Sequence, residues 1–314
     1  MTREHFQNNS KLRIGTRGSP LAIAQAEEAR LRLMQAHNLP QVAIEIVPIS
    51  TAGDRNQNRS LSTFGGKGLF TREIEEALLA GSIDIAVHSM KDIPTILPLG
   101  LEISCVLPRE DARDGLVSPN YRSISEIPEG SIFGTSSIRR RAQLLYRRPD
   151  LEIVQYRGNV QTRLGKLESG SVSATMLALA GINRLGLSKN WVSEIATDDI
   201  LPAIAQGTIG IESRIGDRAI TELLARINDS ATMSRTETER EFLMTLDGSC
   251  TSPLAGYAEI VDTELHFSGE IISPEGDECW SYSLQGSEKD AKLLGRQVAE
   301  YLKKTAGTKY FAKL

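Results

Sequence analysis

Short apolar runs alternate with helix-length amphipathic stretches along roughly the first 230 residues of the chain. This alternation is typical of β-α-β chains, which fold as helices packed on a mostly parallel sheet. The predicted strands are Leu12–Thr16, Ala43–Ser50, Ile83–Val87, Leu101–Leu107, Ser131–Gly134, Glu152–Tyr156, Ala174–Leu177 and Thr208–Glu212.

Capping residues mark the helices between these strands. Ser19 followed by Pro20 predicts a helix that runs to about Met34, because serine caps a helix N-terminus and proline fits its first turn. Thr71 and Gly81 bracket a second helix in the same way. Further helices are expected near Ser137–Tyr146, Asn159–Glu168, Asp217–Asn228 and Ser234–Leu246.

About the last 60 residues follow a different pattern. Strand-like runs joined by polar turns occupy Leu254–Ile260, Leu265–Ile271 and Trp280–Leu284, and a helix follows from about Lys289 to Lys304. This pattern is typical of a small antiparallel sheet with a helix on one face. A chain of 314 residues is long enough for two or three domains. We therefore predict an α/β fold class, with two α/β domains, a cleft between them and a small C-terminal α+β domain.

Composition excludes several classes of protein. No apolar run approaches the roughly 18 residues of a membrane span, and Met1–Leu12 lacks the apolar stretch of an export signal. The three cysteines, at Cys105, Cys250 and Cys279, have no CxxC spacing, so neither a disulfide framework nor a zinc site is indicated. We expect a cytoplasmic protein without metal or membrane association.

The charge distribution indicates an anionic ligand. The net charge is −4, whereas the segment from Gly134 to Lys166 holds seven arginines and one lysine against Asp150 and Glu152. Nucleic-acid binders carry a broad basic face, so a local cluster in an acidic chain favours a small anion instead. The alternative is a solvated helix face.

Arg139 and Arg140 are the strongest feature of this cluster. If Thr135 or Ser136 caps the helix, both arginines lie in its first turn, where cations oppose the helix dipole. A bound anion would reverse that penalty, because free N–H groups and guanidinium groups would both face it. We expect both to face a cleft and Arg141 to be solvated or structural; the alternative places all three at the surface.

Other candidate residues follow strands or lie in loops. The glycine-rich run around Lys67 lacks P-loop spacing and fits a mobile lid at least as well as a phosphate cradle. His88 is interpreted as a hydrogen-bonded core histidine. Asp92, which follows Lys91, is either an ion-pair partner or a group that stabilises a cation formed from the substrate. Cys250 lies in a Gly/Ser/Pro loop, the accessible setting of a reactive thiol.

Together, several segments resemble the porphobilinogen deaminase (hydroxymethylbilane synthase) family from Leu12 to the C-terminal helix. The strings VHSMKD, ending at Asp92, and GTSSxRR, ending at Arg140, are highly specific in this order. The matching segments are Arg13–Ala22, Gly65–Phe70, Asp84–Asp92, Arg109–Asp114, Gly134–Arg140, Arg157–Arg163, Gln206–Gly210 and the Cys250 loop.

This resemblance implies a transferase of tetrapyrrole (porphyrin and heme) biosynthesis. Four porphobilinogen units would be condensed head to tail onto a dipyrromethane cofactor, releasing ammonia and then hydroxymethylbilane. Cys250 matches the cysteine that holds this cofactor through a thioether, and Asp92 matches the catalytic aspartate. A carboxylate beside the pyrrole N–H groups would stabilise the electron-poor species left by ammonia and could assist proton transfer.

The pyrrole acetate and propionate groups would account for the arginine cluster. By resemblance, the cofactor is held by Lys91, Asp92, Thr135, Ser136, Ser137, Arg139, Arg140 and Arg163. Substrate carboxylates are expected at Arg17, Ser19, Arg157, Arg163 and Arg184. Lys67 is expected to belong to a mobile loop.

The family fold has three domains, two of which resemble periplasmic binding proteins. Here domain 1 would cover residues 1–107 and 208–226, domain 2 residues 108–207, and domain 3, with the cofactor cysteine, residues 230–314. We expect a monomer that binds neither nucleic acid nor membrane. Two departures from the family pattern are Thr63, where many members have lysine, and Ser249, where many have glycine; the small serine should preserve the thioether.

The competing hypothesis is a non-catalytic, two-lobed receptor for small carboxylate anions. Such a receptor would need neither Cys250 in a loop nor Asp92 among cations, and if periplasmic it would carry an export signal.

Overall fold

The computed structural model describes residues 11–55, 68–188, 190–248 and 252–311. The chain divides into two compact units. The first comprises Met1–Arg109 and Thr208–Met233, and the second comprises Glu110–Gly207 and Ser234–Leu314. Within the described residues, no helix combines the length and apolar character that crossing a membrane requires.

The first unit is built on a five-stranded mixed sheet. Its strands are β1 (Leu12–Arg17), β2 (Ile44–Ile49), β3 (Ile85–Ser89), β4 (Leu101–Val106) and β10 (Ile209–Arg214). They are ordered β2-β1-β3-β10-β4, with β1 parallel to β2 and β3, and β10 antiparallel to β3 and β4. The chain therefore returns from the second unit to complete the first sheet.

Helices of the first unit pack against this sheet. They are α1 (Pro20–His37), α2 (Ala52–Arg55), α3 (Arg72–Leu79) and α7 (Arg218–Ala225). Ser19 caps α1, as predicted, by accepting a hydrogen bond from the Ala22 amide. The buried side of α1 includes Ala26 and Leu33, which belong to the same apolar core as Ile14 of β1. This packing fixes the start of α1 beside the end of β1.

The second unit contains a sheet of the same design. Its strands are β5 (Asp114–Val117), β6 (Ile132–Gly134), β7 (Glu152–Val154), β8 (Ala174–Ala178) and β9 (Val192–Glu194). The order is β7-β6-β8-β5-β9, with β6 parallel to β7 and β8, and β5 antiparallel to β8 and β9. In both sheets the antiparallel strand is therefore fourth, next to the last edge strand.

The second unit also holds an antiparallel C-terminal sheet. Its three strands are β11 (Leu254–Val261), β12 (Glu264–Ile272) and β13 (Cys279–Ser287), in that order. The helices of this unit are α4 (Ile138–Arg147), α5 (Val160–Glu168), α6 (Leu179–Arg184), α8 (Ser230–Thr245), which begins in the first unit, and α9 (Ala291–Phe311). Gly307, with φ 72° and ψ 171°, interrupts α9 near its end.

The predicted fold class is confirmed, including the C-terminal sheet with its helix. The sequence analysis did not predict β5, β9 or α6, because each is short and β5 begins with the pair Asp114 and Gly115, which are rare in strands. The predicted three-domain boundaries and the cleft stay predictions.

Gly295 of α9 lies against the backbone of α8, and replacing it tests that packing. A Cβ atom at Gly295 would overlap the carbonyl oxygen of Thr238, which cannot move without shifting α8. Gly295→Ala is therefore expected to lower the free energy of unfolding by about 1–3 kcal/mol. As a control, Gly165→Ala in α5 adds a Cβ with nothing within 4 Å, and should be neutral or stabilise by up to about 1 kcal/mol. Equal changes of unfolding free energy in Gly295→Ala and Gly165→Ala, measured by denaturant unfolding, would contradict this role of Gly295.

Candidate functional site

A pocket lined by charged, polar and apolar side chains lies in the first unit where β1 and β3 end. Parallel strands present their carboxyl ends at the same edge of a sheet, which is where ligands bind in open α/β sheets. Four predicted site residues line this pocket, namely Arg17, Ser19, Lys91 and Asp92. Asp92 ends a short 3₁₀ turn, Met90–Asp92, that follows β3 directly.

Arg17 and Asp92 place opposite charges beside each other in the pocket. Arg17 Nη1 lies 4.0 Å from Asp92 Oδ2, and the two side chains are 24% and 35% exposed. Arg17 Nη2 also lies 2.5 Å from Asp54 Oδ1, and the guanidinium carbon lies 4.3 Å from the centre of the Phe70 ring. A ligand could therefore meet a cation and a carboxylate side by side.

Polar side chains also line this pocket beside apolar ones such as Leu21 and Val87. The Ser19 hydroxyl accepts from the Ala22 amide at 3.3 Å, and its own proton is available for donation. Gln25 and Ser89 are hydrogen-bonded to each other, with the Gln25 amide donating at 2.8 Å. The pocket therefore contains donors that suit carboxylate oxygens.

A buried acidic cluster lies behind the pocket wall. His88 Nε2 lies 3.2 Å from Glu212 Oε2, and both side chains are buried. The interpretation of His88 as a hydrogen-bonded core histidine is therefore correct. Glu75 is buried as well, and burial together with the charge of Glu212 raises the pKa of its carboxyl. The sequence analysis did not single out either glutamate.

In the second unit, hydroxyl groups fix the loop that starts α4. Ser137 caps the helix by accepting from the Arg140 amide at 3.4 Å. The sequence analysis expected Thr135 or Ser136 as the cap, and this expectation was wrong by one or two residues. Thr135 Oγ1 instead accepts from the Ser137 amide at 3.2 Å, and Ser136 Oγ accepts from the Tyr156 amide at 2.9 Å.

Arg139 and Arg140 are buried around a carboxylate, that of Asp114 at the start of β5. They are 5% and 6% exposed, and Asp114 is 0% exposed. Arg139 Nη2 and Arg140 Nη2 each donate to Asp114 at 2.7 Å. Arg140 Nε donates to the same carboxylate at 3.1 Å, and the side-chain amide of Gln206 donates at 2.8 Å. Two guanidinium groups thus share one carboxylate, which leaves a net positive charge.

Asp114 stays ionised in this setting. Burial alone would raise the pKa of its carboxyl, but the charges and hydrogen bonds of Arg139 and Arg140 outweigh burial and hold the pKa far below its usual range. Two further guanidinium nitrogens bind backbone: Arg139 Nη1 donates to the Leu201 carbonyl at 2.6 Å, and Arg140 Nη1 donates to that of Met176 at 2.9 Å. In the sequence, Asp114 stood out only as the last residue of the family-matching segment Arg109–Asp114, with no role assigned to it.

Arg163 is a cation placed among cations. It lies on α5, whose cap Asn159 accepts from the Thr162 amide at 2.8 Å, and its Nε donates to the Gly158 carbonyl at 2.9 Å. Burial, together with the charges of Arg140 and Arg157, lowers the pKa of Arg163 to about 10. Among the described residues, no carboxylate forms an ion pair with Arg163. A bound anion would relieve this repulsion.

The two other predicted arginines of this unit lie at element ends. Arg157 follows β7, and its Nε lies 3.4 Å from Gln155 Oε1. Arg184 ends α6 and donates to the Gly207 carbonyl at 3.0 Å.

Several predicted residues lie outside the described residues, namely Lys67, Cys250, Thr63 and Ser249. For the two other cysteines, burial raises the pKa of each thiol to about 12. Cys105 and Cys279 are therefore protonated at neutral pH and poor nucleophiles.

The fold and these side chains define an α/β protein with cationic, polar sites suited to a ligand that carries carboxylates. Residues 12–222 match the family model described as "Porphobilinogen deaminase, dipyromethane cofactor binding domain", and residues 233–304 match "Porphobilinogen deaminase, C-terminal domain". The chain belongs to the porphobilinogen deaminase family, which confirms the resemblance carried by the sequence motifs.

Individual relatives agree with this assignment. A porphobilinogen deaminase of Paracoccus denitrificans is 53% identical over 96% of each chain. One of Nitrobacter hamburgensis is 50% identical over 95% of this chain and 94% of its own.

Similar solved structures are more distant. They include an ABC transporter periplasmic substrate-binding protein of Coxiella burnetii, with a TM-score of 0.42 and 16% identity, covering 71% of this chain and 94% of that chain. An ancestral cationic amino acid solute binding protein has a TM-score of 0.44 and 15% identity, covering 73% and 91%.

Asp114 should stabilise the second unit strongly and in a pH-dependent way. At pH 7, Asp114→Asn is expected to cost about 3–5 kcal/mol of unfolding free energy, because it leaves two buried guanidinium charges without a counter-charge. The pKa of Asp114 is lower in the folded protein than in the unfolded chain. The stabilisation that Asp114 provides is therefore present above about pH 4 and is lost as the pH falls below that value. The difference in unfolding free energy between the native protein and the variant should therefore become smaller in acid.

Urea unfolding at several pH values measures this gap, with Asp150→Asn as the matched control. Asp150 pairs with Arg148 at 2.6 Å near the surface, so its loss should be much smaller and sensitive to salt. Equal losses of unfolding free energy in the two variants would contradict the role of Asp114. A difference between native protein and Asp114→Asn that becomes larger in acid would contradict it as well.

Proposed function

We propose that this protein condenses four porphobilinogen units head to tail, releasing one ammonia per unit and then the linear tetrapyrrole hydroxymethylbilane. Membership of the porphobilinogen deaminase family over nearly the whole chain supports this activity. The observation that carries it is the pocket that Arg17, Ser19 and Asp92 share. Each porphobilinogen brings two carboxylates for the cation and the hydroxyl, and one pyrrole N–H for the aspartate.

The arrangement in the second unit fits a dipyrromethane cofactor. This group carries four carboxylates, and the donors near the start of α4 are cations and hydroxyls. Arg163 has no carboxylate partner among the described residues, and the buried group around Asp114 keeps an excess positive charge. When bound, the cofactor supplies the pyrrole carbon to which the first unit is joined.

We propose that the cofactor is bound by the residues that the family resemblance indicates. They are Lys91, Asp92, Thr135, Ser136, Ser137, Arg139, Arg140 and Arg163, with Cys250 as the covalent anchor. Arg139 and Arg140 would act mainly through charge and through the backbone of α4, because five of their six guanidinium nitrogens already bind Asp114 or a backbone carbonyl.

Asp92 would act on the reacting substrate. When the C–N bond of a porphobilinogen breaks and ammonia leaves, positive charge develops on the pyrrole ring. The Asp92 carboxylate, partly exposed in the pocket, can accept a hydrogen bond from the ring N–H and stabilise that charge. The new C–C bond then requires the loss of a proton from the attacked ring, for which the same carboxylate is a suitable acceptor.

Substrate carboxylates would bind Arg17, Ser19, Arg157, Arg163 and Arg184, with Lys67 contributed by the glycine-rich loop. We further propose a cytoplasmic monomer that binds no nucleic acid. Its three domains would be residues 1–107 with 208–226, 108–207 and 230–314.

Asp92→Asn tests this function. The variant keeps the size of the side chain but cannot hold the negative charge, so turnover should fall at least about 100-fold, while the mass of the purified protein and its melting temperature stay unchanged. The measurement is the rate of hydroxymethylbilane formation from porphobilinogen.

Asp84→Asn is the control, because Asp84 precedes β3 and pairs with Arg13 at 2.7 Å outside the pocket. It should keep the native rate. Full turnover in a folded Asp92→Asn protein would reject the catalytic carboxylate, and binding of porphobilinogen without any turnover by the native protein would favour a receptor.

A further inference from the structure

We propose that Asp54 is a positioning residue that aims the guanidinium group of Arg17 at the substrate carboxylate. Asp54 lies on α2, 37 residues from Arg17, and faces it within the first unit. The inference rests on the proposed function, since it concerns the substrate pocket.

Asp54 occupies one edge of the Arg17 guanidinium group. Nη2 lies 2.5 Å and Nε 3.2 Å from Asp54 Oδ1, and Nε also lies 3.4 Å from Oδ2. A carboxylate on the Nε side fixes rotation of the group about its long axis. Nη1 lies on the edge of the guanidinium group that Asp54 does not occupy.

Asp54 is itself held in place by Thr51. The Thr51 hydroxyl donates to Asp54 Oδ2 at 2.8 Å, and the Thr51 amide lies 3.3 Å from the same oxygen. Thr51 is fully buried. Burial raises the pKa of Asp54, but the bonds from Arg17 and Thr51 outweigh burial and keep the carboxylate ionised. This is a fixed support, whereas a flexible surface ion pair would not hold one geometry.

Phe70 supports the flat face of the same guanidinium group. Its ring centre lies 4.3 Å from the guanidinium carbon. The ring is held in turn against Gly53, where any side chain would overlap it, and the Gly53 amide donates to the Leu69 carbonyl at 3.0 Å. With one edge and one face occupied, Nη1 points toward Asp92, 4.0 Å away, and has no closer acceptor among the described residues.

The consequence is a guanidinium group oriented before the substrate arrives. A substrate carboxylate then binds Nη1 without the entropy cost of fixing a long side chain. The same geometry excludes Lys as a substitute for Arg17, because an ammonium group has one charged centre and cannot bind Asp54 and a ligand on opposite edges.

Asp54→Asn tests the proposal through steady-state kinetics with porphobilinogen. We expect KM to rise about tenfold, the effect of one weakened charge-assisted hydrogen bond, with kcat within about twofold of the native value. Because Asp54 acts through Arg17, the double variant Asp54→Asn with Arg17→Leu should be no worse than Arg17→Leu alone. Asp54→Glu, which keeps the charge, should recover part of the lost affinity.

Glu73→Gln is the matched control. Glu73 forms a neighbouring ion pair with Arg55 at 2.6 Å and does not line the pocket, so its KM should stay native. An unchanged or lower KM in folded Asp54→Asn, the latter meaning that Asp54 competes with the substrate, would overturn the proposal. Additive losses in the double variant would overturn it as well. Failure of the native protein to consume porphobilinogen would instead reject the proposed function.

Discussion

The second unit depends on a carboxylate, Asp114, that holds two guanidinium groups inside the protein. Isolated buried charges are very costly, so Arg139 and Arg140 can be interior only because Asp114 and backbone carbonyls pair with them. This cluster of one carboxylate and two guanidinium groups joins the start of α4 to β5. Through Gln206 it also contacts the segment that precedes β10, the strand that returns to the first unit. One carboxylate between two cations also leaves excess positive charge beside Arg163. The same interaction thus stabilises the fold and supports the anion site that we propose there.

The two larger sheets share one arrangement of strand ends and helix N-termini. In each, parallel strands end at one edge and are followed by loops that begin helices with capped N-termini, at Ser19 in the first unit and at Ser137 in the second. A helix N-terminus carries a partial positive charge, which favours a carboxylate placed beside it. We propose that this acidic chain binds its polyanionic ligands by concentrating cations at these strand ends.

Local chemistry explains how much could be predicted from the sequence. The Ser19 cap and the position of Asp92 after β3 follow from neighbouring residues, and both predictions agree with the structure. The cap of α4 was misplaced because Thr135, Ser136 and Ser137 are adjacent hydroxyl residues that satisfy the same rule. The roles of Asp54 and Asp114 could not be predicted. Their partners are 37 and 25 or more residues away, and only the fold brings those side chains together.

We propose that this chain carries, on Cys250, a primer built from its own substrate; Cys250 lies outside the described residues. The intact mass of the purified protein tests it most directly. We predict a mass above that of the sequence by two porphobilinogen units less their ammonia, located on the peptide that contains Cys250. The excess should disappear in Cys250→Ser and persist in Cys105→Ser and Cys279→Ser. An unmodified mass in active protein, or an excess that persists in Cys250→Ser, would contradict the account.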